Sequence, residues 1–430
     1  MKKWLLLLLL LPAAAFGADS SVVGDIHITT TRVDPAVVAR KFPLKTGDTF
    51  TPQAYEDAQN KLHDMRLFKK LDFDTHTENG RTDISISAED GYYFFPLAFF
   101  SSGDKDVFFM SLFEGNFFKK GETAFALGGI SSDGYTFSGG VSIEDIFFNV
   151  SFTKLDTEQR FYGDYWSSMY GIMNVADDEE EYGDPLYKWD MRDYDFKLTY
   201  ARTFGDFSAF ISPEFKHTSY SAEVDAGNHN QLSAGLSYRK RVRTSSGMGA
   251  WFGFGLSDKQ QMLRNMPAPR YAYGADASFT KGGGWSGADY DITKLSLNFL
   301  WQMELKQHHI LSLQVKGQNA YGSPFSDQIL STDLLGGQGK YRRLIRGSRG
   351  AGVTASFLFY ILRGNTGLLA LRPFYELAYV YTGGAYRDHS GAGATLSYKF
   401  WRVPFPLGIN YTRNLSDHSD IVSFVLGGQF

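Results

Sequence analysis

Two hydrophobic periods divide the chain. Up to about residue 90, strand-like and helix-like spacings of apolar residues take turns; from Tyr92 onward, alternation at every second position takes over. In the first part Val22–Thr31 alternates as a strand, and Asp34–Pro35 opens a short helix to about Phe42. Thr51 reads as an N-cap with Pro52 at the first helical position, and Ala54, Ala58, Leu62 and Met65 fall on one helix face. Leu71–Thr77 and Arg81–Ala88 are predicted strands joined across Glu78–Asn79–Gly80, where Asn-Gly marks a hairpin. In the second part Tyr194, Phe196, Leu198 and Tyr200 lie on one strand face, with Asp195, Lys197 and Thr199 on the other. Leu232–Tyr238, Leu295–Trp301 and Ala392–Phe400 repeat the pattern. A strand places successive side chains on opposite faces. Repeated over many segments, apolar against polar means lipid outside and a wet lumen inside, the pattern of a membrane barrel.

The alternation predicts about sixteen strands, beginning near 92, 107, 121, 133, 146, 192, 206, 229, 247, 289, 306, 350, 367, 388, 404 and 420. The turns at Phe204–Asp206, Leu305–His309 and Arg363–Thr366 are short and are expected on the periplasmic side. The segments 156–190 and 318–349 are long and are expected outside the cell. Residues 257–288 are expected to form a long extracellular loop, because a strand at Arg270–Thr280 in addition to the others would break the up-and-down parity.

Composition fits this reading. Phe (37) and Tyr (25) are abundant, yet mean hydropathy is slightly negative, which suits a barrel with aromatic girdles and a polar interior. A net charge of −4 gives no reason to expect nucleic acid. There is no cysteine, hence no disulfide and no thiolate chemistry. Residues 1–17 read as a secretory signal peptide: Lys2 and Lys3, the apolar core Trp4–Leu11, then the small residues of Ala13–Gly17. No later apolar run is long enough to span a membrane as a helix.

The order strand, helix, helix, strand, strand over residues 18–90, with Gly-Asp before the second helix and Leu-Phe before the second strand, resembles a POTRA (polypeptide-transport-associated) domain. Residues 91–430 then form the barrel. One POTRA-like unit ahead of a sixteen-stranded barrel is similar to the BamA/TamA outer-membrane assembly superfamily. The family's sixth-loop motif Val-Arg-Gly-Phe/Tyr corresponds to Ile345, Arg346, Gly347 and Ser348, with Ser348 in place of the aromatic. Its thirteenth-strand motif Phe-x-Asp-x-Gly corresponds to Phe374, Glu376 and Ala378. The strand period turns Phe374, Glu376 and Ala378 inward and Tyr375, Leu377 and Tyr379 outward. The resemblance implies that Arg346 pairs with Glu376 and pins the Gly336–Gly350 loop in the lumen.

The chain ends on Phe424, Leu426, Gly427, Gly428 and Phe430, which resembles the C-terminal β-signal by which barrel assembly machinery recognises its clients. The family likeness also implies a weak lateral seam between first and last strands. It implies a non-enzymatic role with no cofactor: insertion or translocation of unfolded outer-membrane or exported proteins, in contact with outer-membrane lipids and lipopolysaccharide. A structural or lipid-handling barrel without insertase activity is the alternative. The acidic run Asp177–Glu181 is expected to be a solvated loop. His308–His309 lacks a third ligand nearby in sequence, so no metal is expected. Trp166, Trp285, Trp301 and Trp401 are candidate girdle anchors. No nucleophile elbow, phosphate loop or His-Glu-x-x-His motif is present.

Overall fold

The computed structural model of the chain describes residues 21–426, apart from 66, 91–93, 102–106, 118, 120–121, 132–133, 144–145, 162–165, 169–185, 222–226, 241–272, 306–308, 325–326, 340, 342–343, 365 and 401–406. The expected signal peptide lies outside the described residues.

The N-terminal module comprises β1 (Ser21–Thr30), α1 (Pro35–Lys41), β2 (Thr49–Phe50), α2 (Pro52–Asp64), β3 (Phe68–Glu78) and β4 (Arg81–Asp90). Its sheet order is β2-β1-β4-β3, with β1 and β4 parallel. Local chemistry sets the boundaries. Asp34 caps α1 by accepting from the Ala36 amide, and Thr51 caps α2 by accepting from the Ala54 amide. Asn79 and Gly80 both take positive φ (51° and 75°), as a tight hairpin between β3 and β4 requires. Val37, Val38, Phe42 and Leu62 bury against Val23, Ile84 and Ile86. The Asp34 amide also donates to the carbonyl of Lys119 (3.1 Å), joining the start of α1 to a turn of the barrel.

The barrel follows as β5 (Phe94–Ser101), β6 (Val107–Phe117), β7 (Glu122–Ser131), β8 (Gly134–Ile143), β9 (Ile146–Phe161), β10 (Trp166–Ser168), β11 (Tyr187–Phe204), β12 (Phe207–Tyr220), β13 (Gly227–Asn228), β14 (Gln231–Lys240), β15 (Tyr273–Gly282) and β16 (Thr293–Glu304). It continues as β17 (Ile310–Tyr321), β18 (Ile329–Leu330), β19 (Arg346–Gly347), β20 (Arg349–Arg363), β21 (Gly367–Thr382), β22 (Ala385–Phe400), β23 (Leu407–Asn414) and β24 (Asp420–Leu426). The sheet closes through β24 and β5. β18 and β19 pair only with each other, inside the loop between β17 and β20. Among the described residues, sixteen strands make the wall, and the two- and three-residue strands β13 and β10 extend it locally.

Exposure follows the alternation. Tyr194, Phe196, Leu295, Leu297, Phe299, Tyr375, Tyr379, Val422 and Phe424 are exposed on the outer face. Their neighbours in sequence line the interior. Trp301 stands on the outer face, paired with Tyr273. Trp285 is exposed in a short turn between β15 and β16. Trp401 lies outside the described residues.

One expectation is overturned. The ninth wall strand is Tyr273–Gly282, which pairs with both β14 and β16 over its length. The strand expected near 247 lies outside the described residues, and 257–288 is not one long loop. The outer face of β15 offers Ala275 and Ala277 between Tyr273 and Phe279, a weak apolar signal beside the Trp251–Phe254 run. Its inner face is specified by Asp276, which accepts from Ser237 Oγ (2.5 Å) and Asn298 Nδ2 (2.8 Å). Segment 241–272 therefore joins β14 to β15 where Lys240 pairs with Tyr273, the same end as the Gly205 turn. That is the end opposite to the one expected.

Candidate functional site

The loop from Gly322 to Ser348 is the sixth connection at its end of the barrel, and it folds inward. The N-terminal part is a 3-10 turn, Ser331–Leu334, with Ser331 and Leu334 buried. Lys316 Nζ on β17 donates to the carbonyls of Asp333 (3.1 Å) and Leu335 (2.5 Å), capping that turn. The wall is bare where the turn lies: Gly352 faces inward, and a Cβ there would meet the Leu334 backbone.

The alternation of β21 buries Phe374, Glu376, Ala378 and Val380 on the inner face, with Glu376 fully inaccessible. Its carboxylate is saturated. Oε1 accepts from the Gln338 amide (3.1 Å) and Thr354 Oγ1 (3.3 Å). Oε2 accepts from the Gly339 amide (2.9 Å) and the Tyr341 hydroxyl (2.8 Å). Gly337, with φ of 72°, turns the chain so that two successive amides point at one carboxylate. Burial first, and then the Glu376 charge, raise the Tyr341 phenol far above its ordinary range, so it stays protonated and donating. Gln338 is gripped twice more: its side-chain oxygen accepts from Arg372 Nη1 of β21 (3.2 Å) and its carbonyl from Asn410 Nδ2 of β23 (3.0 Å).

The expected Arg346–Glu376 pair does not form. Arg346 is buried, its backbone laddered to Leu330, and it sits within electrostatic reach of Asp333. The neighbouring Gly347 packs against the backbone of Tyr381. Tyr381 is five residues along β21 from Glu376, on the order of 16 Å at about 3.3 Å per residue. The loop has already turned back toward the barrel rim by the time it reaches the arginine. Ile345 hydrogen-bonds Ser331 through both its carbonyl (2.8 Å) and its amide (3.2 Å). Ser348 donates its amide to Tyr381 (3.2 Å) and its carbonyl accepts from Ala320 (2.6 Å). Exposed Ser348 thus serves the loop stem through its backbone, without the aromatic of the family motif. Of the C-terminal candidates, Phe424 is exposed on the outer face and Leu426 ends β24, while Gly427, Gly428 and Phe430 lie outside the described residues.

Gly347 has no room for a side chain. An added Cβ would press on the Tyr381 carbonyl oxygen and Val380 Cγ1. Gly347→Ala is expected to lift the loop stem from β21 at a cost of about 1–3 kcal/mol. Limited trypsin digestion of the folded barrel, read as faster cleavage within 340–346, checks this.

Sequence reasoning missed a second anchor. Asp327, buried in the same loop, faces Lys216 Nζ of β12 (3.3 Å), Lys294 Nζ of β16 (3.5 Å) and His229 Nδ1 (3.6 Å). Burial opposes its ionisation, but His229 and the Lys216 and Lys294 cations outweigh burial and hold the carboxyl well below the usual carboxylate range. A polar cavity of about 220 Å³ adjoins this anchor, lined by Lys294, Gln318, Asp327 and Asp333 among others. Ser331 Oγ and His389 Nδ1 also meet, at 2.5 Å. Both residues are sealed from solvent, and Tyr341 stands edge-on to the His389 ring. This Ser–His contact fastens the turn. His309 is likewise structural: its Nδ1 accepts from the Tyr360 amide, and its ring packs on Phe357 and Phe359. The acidic run 177–181 and His308 lie outside the described residues.

Residues 21–91 match the model of the POTRA family, described as a surface antigen variable number repeat. No curated protein matches the chain by sequence. Among solved structures, CdiB from Escherichia coli is similar over 94% of this chain and 75% of its own, at 13% identity and a TM-score of 0.59. CdiB from Acinetobacter baumannii is similar over 95% and 74%, at 12% identity and a TM-score of 0.54. BamA from Haemophilus ducreyi lacking POTRA domains 1–3 is similar over 94% and 83%, at 14% identity and a TM-score of 0.51. The chain thus joins a region that matches the POTRA model to a barrel that shares the fold of the BamA and CdiB structures.

Proposed function

We propose that this protein assists the insertion or translocation of polypeptides at the bacterial outer membrane. In this reading residues 1–17 direct export, residues 18–90 form a periplasmic POTRA domain, and residues 91–430 span the membrane. The POTRA domain receives unfolded clients, and its strand edges offer backbone groups for pairing. The wall opens between β24 and β5 to template a client strand. Phe424, Leu426, Gly427, Gly428 and Phe430 serve as the signal for the protein's own assembly.

The observation that carries the reading is the sixth loop anchored within the lumen at Glu376, with Ile345, Arg346, Gly347 and Ser348 as its return stem. Such a loop braces one half of the wall while a seam elsewhere opens. The chemistry is binding and templating, with no bond made or broken. One POTRA unit among the described residues favours the second reading, a structural or lipid-handling barrel.

Reconstitution tests the choice. Liposomes carrying the full-length protein are given unfolded outer-membrane clients, and protease-resistant, heat-modifiable client is measured. Insertion above that of empty liposomes is expected, with a fall on Glu376→Ala. A well-folded protein that inserts no more client than empty liposomes overturns the assembly reading.

A further inference from the structure

Arg349, the first residue of β20, stands on the outer face at the loop end of the wall. The strand registers align it in one cross-strand row: Asn319 on β17, Arg349, Tyr381 on β21 and Tyr386 on β22. The guanidinium lies 4.2 Å from the Tyr381 ring centroid and 5.7 Å from that of Tyr386. Two aromatic faces therefore hold the plane of the cation and leave its N–H edge presented. Arg349, Asn319 and Tyr386 are exposed, and among the described residues no carboxylate is ion-paired with the guanidinium. Asp388 is the nearest outward carboxylate in the register. It lies opposite Tyr379, two strands across and two residues along from the position in register with Arg349, roughly 12 Å away at the usual strand spacing and rise, and it is in contact with the Ser416 hydroxyl.

Other described outward cations of this rim are committed. Lys281 pairs with Asp291, Arg413 with Asp420, and Arg192 with Asp156. Directly below the row, the outer face turns apolar and exposed at Leu313, Val315, Tyr375 and Tyr379. Gly317 and Ala351, paired there, leave a shallow furrow under the arginine. An oriented cation with a carboxamide and two phenols, at the edge of an apolar belt, matches an amphiphile with an anionic head.

We propose that the Asn319–Arg349–Tyr381–Tyr386 row binds the phosphate of a lipid headgroup. The inference rests on the membrane placement proposed above, though not on client insertion. The arginine offers a forked pair of donors to phosphate oxygens, the phenols and amide add neutral donors, and the acyl chain lies along the furrow. Because Arg349 directly follows the loop stem, a bound lipid also fixes the point where the sixth loop re-enters the wall.

The test uses the full-length protein in a phosphate-free maltoside micelle. Lipid A, phosphatidylglycerol or dephosphorylated lipid A is added, and retained lipid is counted by native mass spectrometry. Saturable retention of lipid A is expected, weakened about tenfold in Arg349→Gln, the factor given by roughly 1.4 kcal/mol. Arg202→Gln alters an outward arginine at the opposite end, over Phe204, and is expected to retain lipid A like wild type. Preference for lipid A over phosphatidylglycerol assigns the outer-leaflet glycolipid; equal retention assigns a general phosphate site. Wild-type retention in Arg349→Gln, or retention of dephosphorylated lipid A equal to that of lipid A, overturns the proposal. Heat-modifiability in each sample shows that the barrel is folded, and client insertion measured separately reports on the other reading.

Discussion

Glu376→Ala is expected to release the sixth loop from the lumen. The carboxylate is the shared acceptor for two backbone amides, a phenol and a hydroxyl, all from a fully inaccessible position. Removing it strands those donors, a loss of about 3–5 kcal/mol, comparable with breaking a buried charged pair. The wall remains, since its ladders do not pass through this side chain. The change should appear as trypsin cleavage within 340–346 and as higher single-channel conductance in planar bilayers. Glu376→Gln keeps one acceptor oxygen and should fall between wild type and Ala. Alkali should act on the same contact. The Tyr341 phenol has a pKa raised in the folded loop, so its contribution is complete below about pH 10, where a free phenol titrates, and declines as pH rises above it. Tyr341→Phe removes the hydroxyl and should flatten the alkaline rise in conductance. Unchanged digestion and conductance in Glu376→Ala would sink the loop-anchor model.

The wall was legible because a strand exposes its period in the sequence. Tyr194, Phe196, Leu295 and Leu297 face out where alternation places them, and Phe374, Glu376 and Ala378 face in. Alternation failed at β15, where alanines replace bulky residues on the outer face and the inner hydrogen bonds of Asp276 carry the specification. The partner of Glu376 was misread for a different reason. An arginine advertises itself in a sequence, whereas the amides of Gln338 and Gly339 are backbone groups that any residue supplies. The glycines of Gly336–Gly339 let the chain turn tightly, with Gly337 at φ 72°, which is the property the anchor uses. Asp327 was invisible for a third reason. It reads as an ordinary loop aspartate, and Lys216 lies 111 positions away in sequence. Only closure of the barrel brings the two together.

Asp327→Ala is expected to free the other side of the loop. With the carboxylate gone, Lys216 keeps Asp193 of β11 (3.8 Å), while Lys294 and His229 lose the loop carboxylate that faces them. Losing the central partner of these partly screened cations costs about 1–3 kcal/mol, and Asp327→Asn should recover little of it, because the amide keeps the shape and loses the charge. The sign of the pH effect follows from the depressed carboxyl. The contribution is complete above about pH 4, the range of an ordinary aspartate, and is lost only as pH falls through the much lower folded value. The anchor therefore holds through neutral and mildly acidic conditions, and acid-induced rises in conductance should begin below about pH 4 in wild type. Glu376 grips the loop from β21 and Asp327 from β12 and β16, so each anchor shortens the segment left free by the other. In a double-mutant cycle the rates of loop digestion should be non-additive, with a coupling of about 0.5–3 kcal/mol. Strict additivity would mean that the two walls hold independent parts of the loop, and that the loop does not brace one against the other.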